Sequence, residues 1–201
     1  MASQVEIINL ALSHIGVGKE ISSLETERSE EAAAGRRFYD ICRDVVLEAA
    51  EWPFTRKIAT IALVQAEPNT EWAYSYRYPT DCLHIRRVLS GLRNDTRQSR
   101  APYLLAQDSS GTLIYTDEDD AQMEYTAKSD NPQFYPSDFV MAFSLYLAVY
   151  IAPRLTAGDQ FKLGQRAMKL YEYEIGKAKA RAYNEEQEET EPDSELMRER
   201  G

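Results

Sequence analysis

Histidine, cysteine and clustered carboxylates are the side chains that most often do chemistry, and in this sequence they are few and dispersed. The two histidines are His14 and His84, and the two cysteines are Cys42 and Cys82. His14 falls at the end of a helical pattern, where a cation suits the helix dipole. Cys42 shares a helix with Phe38 and Ile41 and reads as a small core residue. His84 alternates with Leu83 and Ile85, which turns it to solvent or to a partner. Two cysteines cannot form a disulfide framework, so a reducing compartment is expected, and so few histidines leave no zinc site. The run Asp117, Glu118, Asp119 and Asp120 has carboxylates for a divalent cation, but the ligand order and central glycine of a calcium loop are missing. It reads as a solvated turn. The nine glycines form no GxxxxGK[ST] or GxGxxG cradle, and GxSxG and HExxH are absent. No catalytic residue, cofactor or metal is expected.

Two other features stand out. Trp72, Tyr74, Tyr76 and Tyr78 alternate with small or polar residues, which puts four rings on one face of a strand. Such rings anchor interfaces and equally fill cores, and the pattern leaves both open. From Arg86 to Arg100 there are five arginines (Arg86, Arg87, Arg93, Arg97, Arg100) against the single acid Asp95. This local positive segment either meets an acidic neighbour or forms a wet hairpin tip, and the wet tip is the simpler reading.

These features need elements to position them. Ser3 caps a short helix striped by Val5, Ile8, Leu12 and Ile15, which Gly16 and Gly18 end. Ile21 and Leu24 anchor the connection that follows. A second helix carries Ala34, Phe38, Ile41, Val45 and Ala49 on its core stripe and Glu30, Arg37, Asp40, Arg43 and Asp44 on its wet face. Trp52-Pro53 closes it. The period then changes to two. Strands are expected at 57–64, 72–78, 82–89, 103–106, 112–116 and 122–127, with turns at Arg93-Asn94-Asp95 and Asp108–Gly111. Pro136-Ser137-Asp138 starts a helix whose residues Phe139–Ala152 are apolar except Ser144, which predicts burial on all sides. Pro153 stops it. Thr156 and Asp159 open a last helix with Phe161, Gly164, Met168, Tyr171, Ile175, Ala178 and Ala182 at a 3.5-residue repeat. About 28 residues at 1.5 Å each would make it roughly 42 Å long.

Charge is uneven along this architecture. The 201 residues carry 33 acidic and 23 basic side chains, a net of −10. Residues 185–201 contribute eight acids and two arginines, or −6, leaving −4 for the rest. Specific reading of a nucleic acid needs clustered positive charge and is not expected. The longest apolar run falls short of the about 20 residues that span a bilayer. No basic N-terminal region marks a secretory signal. The fold expected is α+β, mainly α. It is a helical bundle of four helices with a long C-terminal helix (residues 1–56 and 129–184), an inserted small antiparallel β unit (57–128) and an acidic C-terminal extension (185–201).

The order of motifs carries a resemblance. NLALSHIG lies in the first helix, AAAGRRFYDICRDVVLEAAEWPF in the second, YSYRYPTDCLHIRRV spans a strand pair, and an FxxAFxLYLAxxIAPRLT helix precedes the long amphipathic one. Together, over about residues 5–183, they resemble the tail tubular protein A family, the head-to-tail adaptors of short-tailed phages. The FYDxxRDxxL…WPF helix end and the YxYxxPxDCLxIxRV strand pair are its most specific pieces, and neither is a catalytic signature. The turn Asp117–Asp120 and residues 185–201 lie outside it.

What the resemblance implies is a structural virion protein and not an enzyme. Made in the host cytoplasm, it would be monomeric when free and dodecameric at the head–tail interface. There it would form a ring between portal protein and tail nozzle through which DNA passes without sequence-specific binding. The C-terminal extension would reach the portal, with Glu188, Glu191, Leu196, Met197, Arg198 and Arg200 as contacts. Trp72, Tyr74, Tyr76, Arg93, Arg97 and Arg100 would face the nozzle or a neighbouring protomer. An acidic ring suits a DNA channel, because like charge prevents sticking. No membrane role is implied. Two other classes fit less well. A phage-encoded cell-wall glycan hydrolase needs two carboxylates about 5–10 Å apart in a cleft, and no glycan-cleaving motif is present. A regulatory helical binding module leaves the β insertion without a purpose.

Overall fold

The structure, a computed structural model, describes residues 2–91 and 101–185, with side chains of the last helix described as far as Arg181. Arg93, Arg97 and Arg100, and residues 186–201 with all six of the expected portal contacts, lie outside the described residues. The chain divides into a helical unit, Met1–Arg56 with Thr126–Tyr183, and a β unit, Lys57–Tyr125.

In the helical unit, α1 (Gln4–His14) opens with a reciprocal cap. Ser3 Oγ accepts from the Glu6 amide at 3.1 Å, and Glu6 Oε2 accepts from the Ser3 amide at 2.7 Å, satisfying two donors that a bare helix end would orphan. Gly16, at φ 74°, turns the chain out of the helix. Asn9 then pins the connection by bonding both the amide and the carbonyl of Ile21 at 2.9 and 3.0 Å.

Ser29 caps α2 (Glu30–Ala49), whose buried face differs from the expected stripe. Ala32, Gly35, Tyr39, Cys42 and Val46 face the core, whereas Ile41 is 65% exposed and Val45 also reaches solvent. The cause is backbone approach. A Cβ on Gly35 would come within 2.9 Å of Ile8 Cδ1, so the small residues set the contact with α1 and rotate the larger ones outward. Arg43, expected in water, is only 3% exposed and is held at 2.8–2.9 Å by Asp40, Asp44 and Asp130. Burial would lower its pKa, but those three carboxylates outweigh that and raise it.

Both α1 and α2 pack on α3 (Ser137–Leu155). Phe139 is the hub of an aromatic cluster, with Tyr135, Trp52 and Phe54 at 4.7, 5.1 and 5.1 Å between ring centroids. Phe143 stacks edge-on with Tyr39 at 4.9 Å. The helix is not buried on all sides, since Met141 and Tyr150 are exposed. It also runs two residues beyond Pro153, because the Thr156 amide and hydroxyl both bond the Ala152 carbonyl. At 19 residues α3 is long and apolar enough to cross a membrane, which the run-length reading missed, but half of it is buried inside the protein.

The last helix, α4 (Leu163–Glu185), has 23 residues and starts later than expected. Phe161 precedes it and is 81% exposed. Thr156 does not cap it. Instead the Asp159 carboxylate accepts from the Gly164 amide at 3.0 Å. Ala157, Asp159 and Lys162 all take positive φ in the intervening turn. Gly164, Ala167, Tyr171 and Ala178 form the buried stripe, and a Cβ on Gly164 would meet Ala152 at 3.3 Å.

The β unit corrects the expected proportions. Among the described residues, seven strands in two antiparallel sheets, with 23% strand and 44% helix, make a sheet-rich α+β fold and not a mainly helical bundle with a small β unit. One sheet has the order β1 (Arg56–Thr60), β7 (Gln122–Ala127), β4 (Cys82–Leu89). The other has the order β2 (Leu63–Ala66), β3 (Tyr74–Arg77), β6 (Gly111–Thr116), β5 (Tyr103–Asp108). The expected single strand at 57–64 splits at Ile61, which is buried and donates its amide to the Ala121 carbonyl at 3.0 Å. The chain leaves one sheet there and enters the other. The expected aromatic strand 72–78 shrinks to four residues, because the Asn69 side chain accepts from the Glu71 and Trp72 amides and holds Trp72 in a turn.

Candidate contact surfaces

The four-stranded sheet places the aromatic residues singled out by the sequence. Tyr76 is 1% exposed. Its hydroxyl donates to the Glu118 carbonyl at 2.8 Å and accepts from the Ala121 amide at 3.3 Å, so it is a core residue that ties down the acidic turn and offers no surface. Trp72 and Tyr74 are half-buried. In the turn itself, Asp117 accepts from the Ala73 amide at 2.9 Å and Asp119 from the Asp120 amide at 3.0 Å. These carboxylates organise backbone, and among the described residues no group of side chains is arranged to hold a metal.

The arginine segment is not one wet tip either. Arg86 and Arg87 belong to β4, where Arg86 is buried and Arg87 Nε bonds Glu124 Oε2 at 2.8 Å. Arg77 forms a two-pronged pair with Asp108 at 2.9 Å for both bonds, and this holds the Asp108 carboxyl down at about 2.

The sheet's two open edges carry apolar side chains. Leu63 and Val64 lie exposed on β2, and Tyr103, Leu104 and Leu105 on β5, where both leucines are 49% exposed. Register with β6 is regular from Tyr103–Thr116 to Asp108–Gly111, whereas β2 carries an irregularity between Leu63 and Gln65. The signal for β5 was visible in the sequence. Leu104-Leu105 puts apolar side chains on both faces of one strand, and no single core face takes both.

The second surface is on the helical unit. Arg166, Lys169, Tyr173, Lys177 and Arg181 step along one side of α4 at spacings of three and four, which keeps them on one face. Tyr173 is 64% exposed, with Lys177 Nζ over its ring at 5.1 Å. Lys177 also pairs with Glu174, and Arg181 with Asp138, both at 2.9 Å. Arg166 and Lys169 make no ion pair with a described residue. Between the end of α1 and the start of α4 lies a cavity of about 380 Å³, lined by Ser13, His14, Leu163, Arg166, Ala167 and Leu170. His14 Nε2 faces the Ser144 hydroxyl at 3.1 Å, and burial lowers its pKa.

Burial pushes the Cys42 thiol up to about 12 and the Cys82 thiol up to about 11, away from thiolate chemistry. His84 is exposed. No family model and no curated protein matches the chain.

Proposed function

We propose that this protein is a structural virion subunit, a head-to-tail adaptor forming a ring between the portal protein and the tail nozzle of a short-tailed phage. The resemblance in motif order supports this reading, and one geometric observation carries it. The four-stranded sheet ends in two apolar open edges that run in opposite directions, because each of its three pairings is antiparallel. A neighbour related by simple rotation therefore offers its β2 antiparallel to β5, the heterologous arrangement from which closed rings are made. The irregularity in β2 blunts that edge, in keeping with a monomer when free and a dodecamer on the virion. Trp72 and Tyr74 remain the aromatic candidates for the nozzle or neighbour contact. Residues 185–201 remain the candidate portal contact, and the reading places the protein at the head–tail interface with no enzymatic role.

Negative-stain imaging of the protein mixed with purified portal tests it. A ring of added density at one end of the portal is expected. Absence of that density, or turnover of peptidoglycan by the purified protein, would overturn the reading.

A further inference from the structure

The helical unit presents two exposed helix faces whose residues are spaced alike. On α2, Ile41, Val45 and Glu48 recur at spacings of four and three, and all three reach solvent. On α4, Leu170, Tyr173 and Lys177 recur at three and four. Both apolar side chains are exposed, and Lys177 keeps 53% exposure beside Glu174. Each triplet lies on one side of its helix. Both faces are turned away from α3. Helix α2 meets α3 through Tyr39, whose ring packs on Phe143, and α4 meets it through Tyr171, whose ring packs on Tyr146. Ile41 and Tyr173 are each two residues on, which is about 200° around the helix.

The two helices run in the same direction. Phe38 touches Tyr150 while Trp52, beyond the other end of α2, touches Phe139, so α2 is antiparallel to α3. Gly164 lies at Ala152, Tyr171 at Tyr146 and Arg181 at Asp138, so α4 is antiparallel to α3 as well. A twelve-fold ring turns each copy by only about 30° from the last. Whatever the axis, α4 of one copy then stays within about 30° of its own direction in the next, and so runs broadly parallel to the neighbour's α2.

We propose that α4 of one copy packs parallel on α2 of the next, a head-to-tail contact that repeats around the ring. A single offset of about 129 residues sets Leu170 against Ile41, Tyr173 against Val45 and Lys177 against Glu48. That joins two apolar pairs and one pair of opposite charges. The spacings of four and three interdigitate with three and four, as in helices packed at shallow angles. Arg37 and Arg166 are the like-charged pair that this register brings level, and Arg37 is drawn aside over the Phe38 ring at 5.9 Å.

The contact deepens the adaptor reading by naming a neighbouring copy as the partner of the helical unit, and its direction rests on that reading. Its small size fits a chain that is monomeric until a template gathers the copies and raises their effective concentration.

Cysteine crosslinking of the full chain tests the contact. Under a mild thiol oxidant such as diamide, the double variant Ile41→Cys with Leu170→Cys should form a reducible ladder of dimer, trimer and higher species. The ladder is expected on purified portal and, more weakly, in the free chain at millimolar concentration. The parent chain, with Cys42 and Cys82, sets the background. A mixture of the two single variants should stop at dimer, and neither single variant alone should link. Glu48→Lys should cut the links about two- to five-fold, the range of an exposed ion pair, and Lys177→Glu in the same chain should restore them. Dimers from Ile41→Cys alone would pair α2 with α2 and overturn the proposal. So would a link within one monomer, or no ladder in either sample. Portal-bound density without a ladder would sink this contact and leave the adaptor reading standing. A ladder in the concentrated free chain without portal density would do the reverse.

Discussion

The two units of this molecule hold their cores in different ways. Around Phe139 and Phe143 the helical unit stacks ring on ring. The β unit is pinned by hydroxyls and ion pairs. Tyr76 bridges Glu118 and Ala121, Tyr125 donates to Asp81, which also binds Lys57, and Glu124 and Asp108 hold arginines. The helical unit should therefore be most sensitive to lost volume, and the β unit to an orphaned hydrogen bond or a protonated carboxylate.

Three measurements would break or sharpen that contrast. Phe143→Ala, at a fully buried site, should cost about 3–5 kcal/mol in chemical denaturation. A loss below about 1 kcal/mol would mean that the helical core is loose enough to collapse around the gap. Tyr76→Phe keeps the ring but strands the Ala121 amide, and should cost about 1–3 kcal/mol. Hydrogen exchange followed by mass spectrometry should show faster exchange in residues 57–125 with the helical unit unchanged. Equal acceleration in both would make them one cooperative body. The smallest effect is that of acid. Hydrogen bonds and charge from Arg77 and Lys57 hold the pKa values of Asp108 and Asp81 below their usual range. Because the folded values are depressed, the stabilisation is present above about pH 4 and is lost as pH falls toward 2. Asp108→Asn should flatten the β unit's stability profile across that window. An unchanged profile would remove the Arg77–Asp108 pair from the contrast.

The sequence was most legible where local signals acted alone. The strands at 82–89 and 122–127 have the limits that alternation gave, and Ser3 caps α1. It misled where a tertiary contact overrode periodicity. Gly35 brought α1 close and rotated Ile41 and Val45 outward, with Arg43 inward. Ile61 broke a run that reads as one strand, and the Asn69 turn removed Trp72 from its strand. The contact surfaces were legible in part. Tyr74 and Trp72 are accessible, Tyr76 is not, and the basic face of α4 was hidden within the arithmetic of an acidic chain. Helical charges were counted along the sequence when they needed counting around the axis.

Strands β1 and β7, where the chain enters and leaves the β unit, are neighbours in one sheet. During synthesis this topology imposes an order. Helices α1 and α2 emerge first, but α3, on which both pack, lies beyond residue 125. The 69 residues of Lys57–Tyr125 take roughly 3–14 s to make at about 5–20 residues per second. The β unit is therefore complete before its host can close, and for those seconds α1 and α2 have only each other. The close approach of Ile8 to Gly35 gives the nascent pair a contact that needs nothing downstream, and a bulkier residue at position 35 would expose the growing chain during that wait.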